Sequence, residues 1–273
     1  VSESSRSGFV ALVGRPNVGK STLLNHLIGQ KISITSRRPQ TTRHRILGIH
    51  NVAGGQVAYI DTPGLHIGGK RAMHRYLNRA ATGVFQDVDL VVFVVEKTLW
   101  NDEDEKVLES LASVRAPVFL VINKIDQVPD KSVLLPHISQ LSARRTFAEI
   151  VPVCALRAAT LEGLEGRIVA HLPEGPPLYP EDYVTDRSER FLAAEIVREK
   201  LTRRTSREIP YALTVEIEGF REKDGLVSID ALIWVERAAQ KPIVIGHKGE
   251  LLKAVGERAR ADLEKLLGRK VYL

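Results

Sequence analysis

The chain has 273 residues, 44% apolar and 26% charged, with a formal net charge of +6 and a pI near 9.4. That length suits about two domains, and the composition suits globular cores rather than disorder. The longest strongly apolar run, Leu90–Val95, is too short to cross a bilayer, which takes about 20 residues. The polar stretch from Ser2 to Ser7 reads as lacking a signal peptide. Cys154, the single cysteine, excludes an internal disulfide and fits a reducing cytoplasm.

From residue 8 to about 171, short apolar runs alternate with helical patterns. Strands are expected at Phe9–Val13, Ile46–Asn51, Gln56–Ile60, Leu90–Val95, Val118–Ile122 and Ile150–Val153. Helices are expected at Lys20–Ile28, Met73–Gln86, Asp102–Ser113, Ser132–Phe147 and Leu161–His171. The alternation predicts an α/β domain with a mainly parallel sheet and helices on both faces. Gly54-Gly55 signals a hairpin that makes one pair antiparallel. The Pro/Gly-rich stretch from Leu172 to Pro177 marks a break, so the domains are drawn as 1–173, a linker at 174–183, and 184–273.

The second domain reads as α+β. A helix is expected at Ser188–Thr202, then strands at Ala212–Glu218 and Leu226–Glu236 joined by a loop over Arg221–Gly225. Pro242 starts a short helix through Ile245. Leu251, Leu252, Val255, Ala259, Leu263, Leu266 and Leu267 form the stripe of a longer helix. Val271-Tyr272-Leu273 reads as a strand just beginning. Both ends of the chain are electropositive: residues 1–60 hold eight Lys/Arg against one Glu, and residues 237–273 hold nine against four Asp/Glu. The basic C-terminal segment suits nucleic acid or another anionic surface.

Gly14-Arg15-Pro16-Asn17-Val18-Gly19-Lys20-Ser21 matches G-x-x-x-x-G-K-[ST] between an expected strand and helix. There the backbone N–H groups of residues 17–21 form an anion nest at a helix N-terminus. Lys20 reaches the β- and γ-phosphates of a nucleoside triphosphate, and the Ser21 hydroxyl ligates Mg²⁺. Asp61-Thr62-Pro63-Gly64 closes the third strand. Asp61 is suited to hold Mg²⁺, and the Gly64 N–H to approach the γ-phosphate. Asn123-Lys124-Ile125-Asp126 follows the fifth strand. Asp126 accepts from guanine N1–H and its exocyclic amine; adenine lacks both donors, and would leave the carboxylate unpaired at a cost of ~1–3 kcal/mol or more. Lys124 lies over the base plane, and Asn123 ties this loop to the phosphate loop. Cys154-Ala155-Leu156 ends the last strand, with the Ala155 N–H aimed at guanine O6. Cys154 reads as a buried loop residue rather than a nucleophile.

This set resembles the translation-factor-related GTPases over the first 170 residues. The basic segment between Lys31 and Arg45 is poor in apolar residues and reads as a mobile switch loop. One of Thr41 or Thr42 ligates Mg²⁺ and senses the γ-phosphate; the family pattern implies Thr42. Leu65 stands where many such enzymes carry a water-orienting glutamine, which implies slow intrinsic turnover. Asn17 is similar to the residue that coordinates potassium in cation-stimulated relatives. Lys20, Asn17, Thr42 and Gly64 are thereby the residues expected to act in Mg²⁺-dependent, potassium-stimulated GTP hydrolysis, with Arg37 or Arg38 in cis the competing source of positive charge.

Ile245-Gly246-His247-Lys248-Gly249 between two expected helices resembles the G-x-x-G loop of KH domains. There the glycines admit the nucleic-acid backbone and flanking apolar residues line a groove for about four bases. Ile243, Ile245, Leu252 and Val255 are expected to line it, with Lys248 touching phosphate. Pro39-Gln40-Thr41-Thr42-Arg43, Pro180–Arg187 and the KH-like domain together resemble the bacterial Era family across essentially the whole chain. That resemblance implies binding of the 3′ end of 16S rRNA, action on the 30S ribosomal subunit during assembly, and a cytoplasmic location with a peripheral inner-membrane pool. It also implies a closing KH strand that runs on past Leu273. The alternative function is an RNA-binding chaperone whose GTP is mainly structural.

Overall fold

The computed structural model describes residues 5–36, 38, 41–63, 87–205 and 208–273. The expected helix at Met73–Gln86 lies outside them. The chain divides into two compact units, one of Val1–Gly29 with Thr42–Asp186 and one of Gln30–Thr41 with Arg187–Leu273.

In the first unit, β1 (Arg6–Val13), β2 (Ile46–Val52), β3 (Gly55–Asp61), β4 (Leu90–Glu96), β5 (Val118–Asn123) and β6 (Glu149–Pro152) form one sheet in the order β2-β3-β1-β4-β5-β6. All neighbours pair in parallel except β2 and β3. Helices α1 (Lys20–Ile28), α2 (Asp102–Ser110), α3 (Leu134–Ser142) and α4 (Ala158–His171) connect them. Strands β4 and β5 are buried almost throughout, which is why they read as unbroken apolar runs rather than alternating ones. Order β3-β1-β4 puts the reversal of winding beside β1, so the turns leaving β1, β3 and β5 open on one sheet edge, where ligands of such sheets bind.

Residues 174–186, which include the expected linker, bond to this unit along their length. The buried Gln56 side chain accepts from the Leu178 and Tyr179 N–H groups at 2.8 and 2.9 Å and donates to the Tyr179 carbonyl. Val184 and Thr185 then cover the open side of β2, a common protection for an edge strand. Helix α3 is shorter than expected, because a separate 3-10 turn takes Lys131–Val133 and the helix stops at Ser142.

The second unit holds α5 (Glu189–Arg204), β7 (Leu213–Lys223), β8 (Leu226–Val235), α6 (Lys241–Ile245), α7 (Glu250–Leu267) and β9 (Lys270–Tyr272), with sheet order β7-β8-β9. The hairpin turn is tighter than the expected five-residue loop. Lys223 pairs with Leu226, and Asp224 and Gly225 both take positive φ, as a two-residue turn matching strand twist requires. The last strand pairs in parallel with β8 through Lys270, Val271 and Tyr272. Its core joins Ala193, Ile196, Val197 and Leu201 of α5 to Val215 and Ile217 of β7 and Val255, Ala259 and Leu263 of α7. Val255 is therefore core and does not line a groove, a correction to its expected place; it falls on the helix face turned to the sheet. Among the described residues no helix is long and apolar enough to cross a membrane.

The segment 30–41 corrects a second expectation. It carries few apolar residues, yet Ile32, Ser33, Ile34 and Thr41 are all buried. It is held by charge: Lys31 Nζ lies 2.5 Å from Glu199 and 2.6 Å from Asp262, and Glu199 also accepts the Thr35 N–H at 2.9 Å. Lys200 pairs with both carboxylates. Burial alone would raise both carboxyls, but Lys31 with the Thr35 N–H and Arg203 holds Glu199 below its ordinary 4.5, and Lys200 with Lys31 holds Asp262 below its ordinary 3.8. Between ordinary and lowered values the unfolded chain binds more protons than the folded one. The stabilisation is thus complete above about pH 5 and is lost as pH falls from those ordinary values through the lowered ones of the folded chain. Thermal unfolding from pH 6 to pH 3 is expected to show this loss, with a shallower slope in Lys31→Met. Equal slopes would contradict it.

Candidate nucleotide site and G-x-x-G turn

The turn after β1 carries the phosphate-binding candidates. Gly14 has φ +147°, and a Cβ there would stand 2.4 Å from the Val94 carbonyl oxygen. Gly19, in the left-handed region at φ 105°, precedes α1 and brings no capping side chain, so the first N–H groups of that helix are left for an anion. A Cβ on Gly19 would meet Asn123 Nδ2 at 2.3 Å. Asn17 sits exposed with φ 67°, Pro16 is half-buried and Val18 fully buried.

Lys20 is buried, with Nζ 2.9 Å from the Gly14 carbonyl and 3.0 Å from that of Arg15. Burial pushes its ammonium down to about 8, against the pull of Asp61. A cation that burial disfavours gains most when phosphate oxygens approach it in a dry site. Ser21 Oγ donates to Asp61 Oδ2 at 2.6 Å and lies 2.9 Å from Thr42 Oγ1. Two hydroxyls and one carboxylate, all hard oxygen donors, thus converge at the start of α1, which suits Mg²⁺. Thr41 does not join them, since its hydroxyl donates to the Arg38 carbonyl at 2.6 Å. Thr62 is buried and donates to the Leu12 carbonyl at 2.8 Å, and Pro63 is buried beside it. Gly64, Leu65 and Arg37 lie outside the described residues.

The loops expected to read the base are locked to the turn after β1 by Asn123. Its Nδ2 donates to the Val18 carbonyl at 2.9 Å, and its Oδ1 accepts from the Lys124 and Ala155 N–H groups at 2.8 and 3.0 Å. The Ala155 N–H, expected to face guanine O6, is therefore engaged by Asn123, whose oxygen has two lone pairs to share. Lys124 takes φ 61° and its Nζ donates to the Asn17 carbonyl at 2.6 Å and to Glu96. Ile125 donates to the Val153 carbonyl. Asp126 and Leu156 stand exposed at the edge of the loops. Cys154 is buried, and burial with a hydrogen bond to Asp126 pushes its thiol up, away from nucleophilic character.

Two residues beside this site, Glu96 and Asp104, carried no sequence motif. Arg15, expected to touch nucleotide, turns its guanidinium to Asp104 at 3.1 Å and to Glu96 at 2.8 Å. Only its backbone is left to face a phosphate. Asp104 is fully buried at the start of α2, where it also closes a capping box with Asn101. Within an acidic run, nothing in the sequence distinguishes Asp104 from its exposed neighbours. Asp104→Ala leaves the buried guanidinium to Glu96 alone and removes the half of the capping box that holds the Asn101 N–H, so a loss of about 3 kcal/mol is expected in urea unfolding. A loss under about 1 kcal/mol, the range of a surface pair, would show the pair to be idle.

In the second unit, Gly246 (φ 79°), Lys248 (φ 49°) and Gly249 (φ 82°) all take positive φ between α6 and α7. A Cβ on Gly246 would stand 2.6 Å from Leu251 Cβ. The turn therefore needs glycine there and leaves backbone open to a close partner. Ile243, Ile245, His247 and Lys248 are exposed and Leu252 half-buried. A hollow of about 340 Å³ beside it is lined by Arg204, Gly246, His247, Glu250 and Leu251.

Comparison with known proteins agrees with both halves. Residues 9–124 match the family described as 50S ribosome-binding GTPase, and residues 208–273 match the KH domain. GTPase Era of Marinobacter nauticus is 54% identical over 98% of this chain and 88% of its own length. GTPase Era of Actinobacillus pleuropneumoniae is 56% identical over 97% of this chain and 88% of its own. A crystal structure of Era in complex with MgGDPNP and nucleotides 1506–1542 of 16S ribosomal RNA matches with a TM-score of 0.94, at 41% identity over 98% of this chain and 92% of that one. An Aquifex aeolicus Era variant bound to GDP and AlF4⁻ matches equally well. With a mainly parallel sheet carrying the phosphate-loop motif, a KH unit later in the sequence and such identity over almost its full length, this chain belongs to the Era family of GTPases.

Proposed function

We propose that this GTPase binds the 3′ end of 16S rRNA through its G-x-x-G turn and uses Mg²⁺-dependent GTP hydrolysis to time that binding during 30S subunit assembly. The observation that carries the reading is the meeting of Ser21, Thr42 and Asp61 at the uncapped start of α1. That meeting supports a γ-phosphate sensor within the 31–45 segment, since a sensor has to reach the position of metal and phosphate. Backbone N–H groups of residues 17–21 and Lys20 hold the phosphates, and Asp126 reads guanine. Magnesium bound by Ser21, Thr42 and Asp61 offsets charge on the β- and γ-phosphates. Residues 1–173 handle nucleotide, 174–183 connect and 184–273 carry the RNA contacts, chiefly Ile245, Gly246, His247, Lys248, Gly249 and Leu252. The RNA assignment is supported by the relative solved with that fragment.

The finer parts of the reading are slow intrinsic turnover, stimulation by potassium near Asn17, and a cytoplasmic protein with a peripheral membrane pool. Leu65 in place of glutamine supports the first, and Asn17 in the phosphate loop the second. Single-turnover hydrolysis in potassium against sodium, with and without the rRNA 3′ fragment, tests the enzyme. RNA affinity with MgGDPNP against GDP tests the timing. Equal RNA affinities in the two nucleotide states would overturn the timing, and absence of turnover under every condition would favour the RNA chaperone.

A further inference from the structure

We propose that Arg198 of α5 is a positioning residue for the γ-phosphate sensor Thr42, acting through the Thr41 carbonyl. The inference rests on the switch reading above and names a residue outside every nucleotide motif. Arg198 is 3% exposed in the middle of a helix. Its Nε and Nη2 donate to Glu195 at 2.7 Å each, and the same Nη2 donates to the Thr41 carbonyl at 2.6 Å. Glu195 sets the plane of the guanidinium, and the fork then holds one backbone oxygen in one place.

That oxygen matters because the peptide unit is rigid. The Thr41 carbonyl, the Thr42 N–H and both Cα atoms lie in one plane, so fixing the carbonyl fixes where the Thr42 Cα begins. Thr42 Oγ1 then stands 2.9 Å from Ser21 Oγ. The front of the segment is held by the same helix: Glu199 accepts from Lys31 and Thr35, while Arg203 donates to the Thr35 carbonyl at 2.9 Å. Helix α5 thus grips the segment on both sides of Ser36, and the grip nearest the sensor is Arg198. The same helix ends at Arg204, which lines the hollow beside Gly246. A ligand seated in that hollow would touch the last turn of the same helix.

The test uses the full chain with Arg198→Ala and Arg198→Lys, measuring GDP and MgGDPNP affinities with fluorescent nucleotides and kcat and KM for GTP. The expected result for Arg198→Ala is GDP affinity within about threefold of wild type and a loss of about tenfold in preference for MgGDPNP over GDP, the size of a typical coupling. A fall in kcat larger than the rise in KM should accompany it. Arg198→Lys should recover part of the preference, since it keeps the charge but has no fork. If Arg198→Ala does not fold, Glu195→Gln, which weakens the brace but keeps the donor, must show the same loss in milder form. Preference unchanged in a folded Arg198→Ala, or in Glu195→Gln as its substitute, overturns the inference and leaves the switch reading intact. A wild-type chain with no magnesium-dependent preference for GDPNP overturns the switch reading and this inference with it.

Discussion

Asp126→Asn is expected to lower GTP affinity by about 100-fold or more and to give xanthosine triphosphate the better fit. On the proposed reading the Asp126 carboxylate offers two acceptors to the two guanine donors, and each hydrogen bond to a charged group is worth about 1.5–3 kcal/mol. Every 1.4 kcal/mol is about tenfold in affinity. An asparagine amide turns one acceptor into a donor, which opposes the guanine amine and suits the carbonyl that xanthine carries there. The loop itself should hold, because its fixing atoms belong to Asn123, which bonds the Val18 carbonyl and the Ala155 N–H, and not to Asp126. Competition between GTP and xanthosine triphosphate for a fluorescent nucleotide measures the change directly. GTP affinity retained in Asp126→Asn would refute the assignment of base recognition to this carboxylate.

Lys20→Met is expected to weaken binding of GTP and GDP by about 100- to 1000-fold while the chain stays folded. The ammonium makes two bonds to carbonyls of its own loop, and burial has already pushed it down to about 8. Its charge is therefore poorly compensated until phosphate oxygens arrive. Two charge-assisted bonds to those oxygens, at about 1.5–3 kcal/mol each, set the size of the loss. Methionine keeps the length of the stem and its packing, so circular dichroism should be close to wild type. Nucleotide affinity within about tenfold of wild type, measured by calorimetry, would show that the helix N-terminus and not Lys20 dominates phosphate binding.

How far residues can be read one at a time depends on the range of the force that places them. Gly14, Gly19, Lys20 and Ser21 lie within one strand–turn–helix, so their spacing alone pointed to a phosphate loop. Asp61 and Asn123 were legible because each closes a buried strand, and strand ends in such a sheet gather at one edge. The alternation of strands and helices likewise announced a mainly parallel sheet. Element ends were less certain: the Asp224-Gly225 turn and the early stop of α3 turn on one or two residues of local backbone choice.

Charge pairs made across long stretches of chain could not be read at all. Asp104 and Glu96 meet Arg15 across more than eighty positions, and Arg198 meets Thr41 across more than one hundred and fifty. A carboxylate in an acidic run, or an arginine in a charged helix, has the same local signature whether it ends in water or in the core. The segment from Lys31 to Thr41 shows this most clearly: its composition predicts a loop too polar to pack, and partners brought by α5 and α7 bury it. By itself the sequence determined the G-x-x-x-x-G-K-S turn, the two fold classes and the G-x-x-G turn, since each depends on spacing within a few residues or on strand periodicity. Tertiary structure alone decided which buried charges pair and what holds the segment before Thr42, because only folding brings distant charges out of water and together.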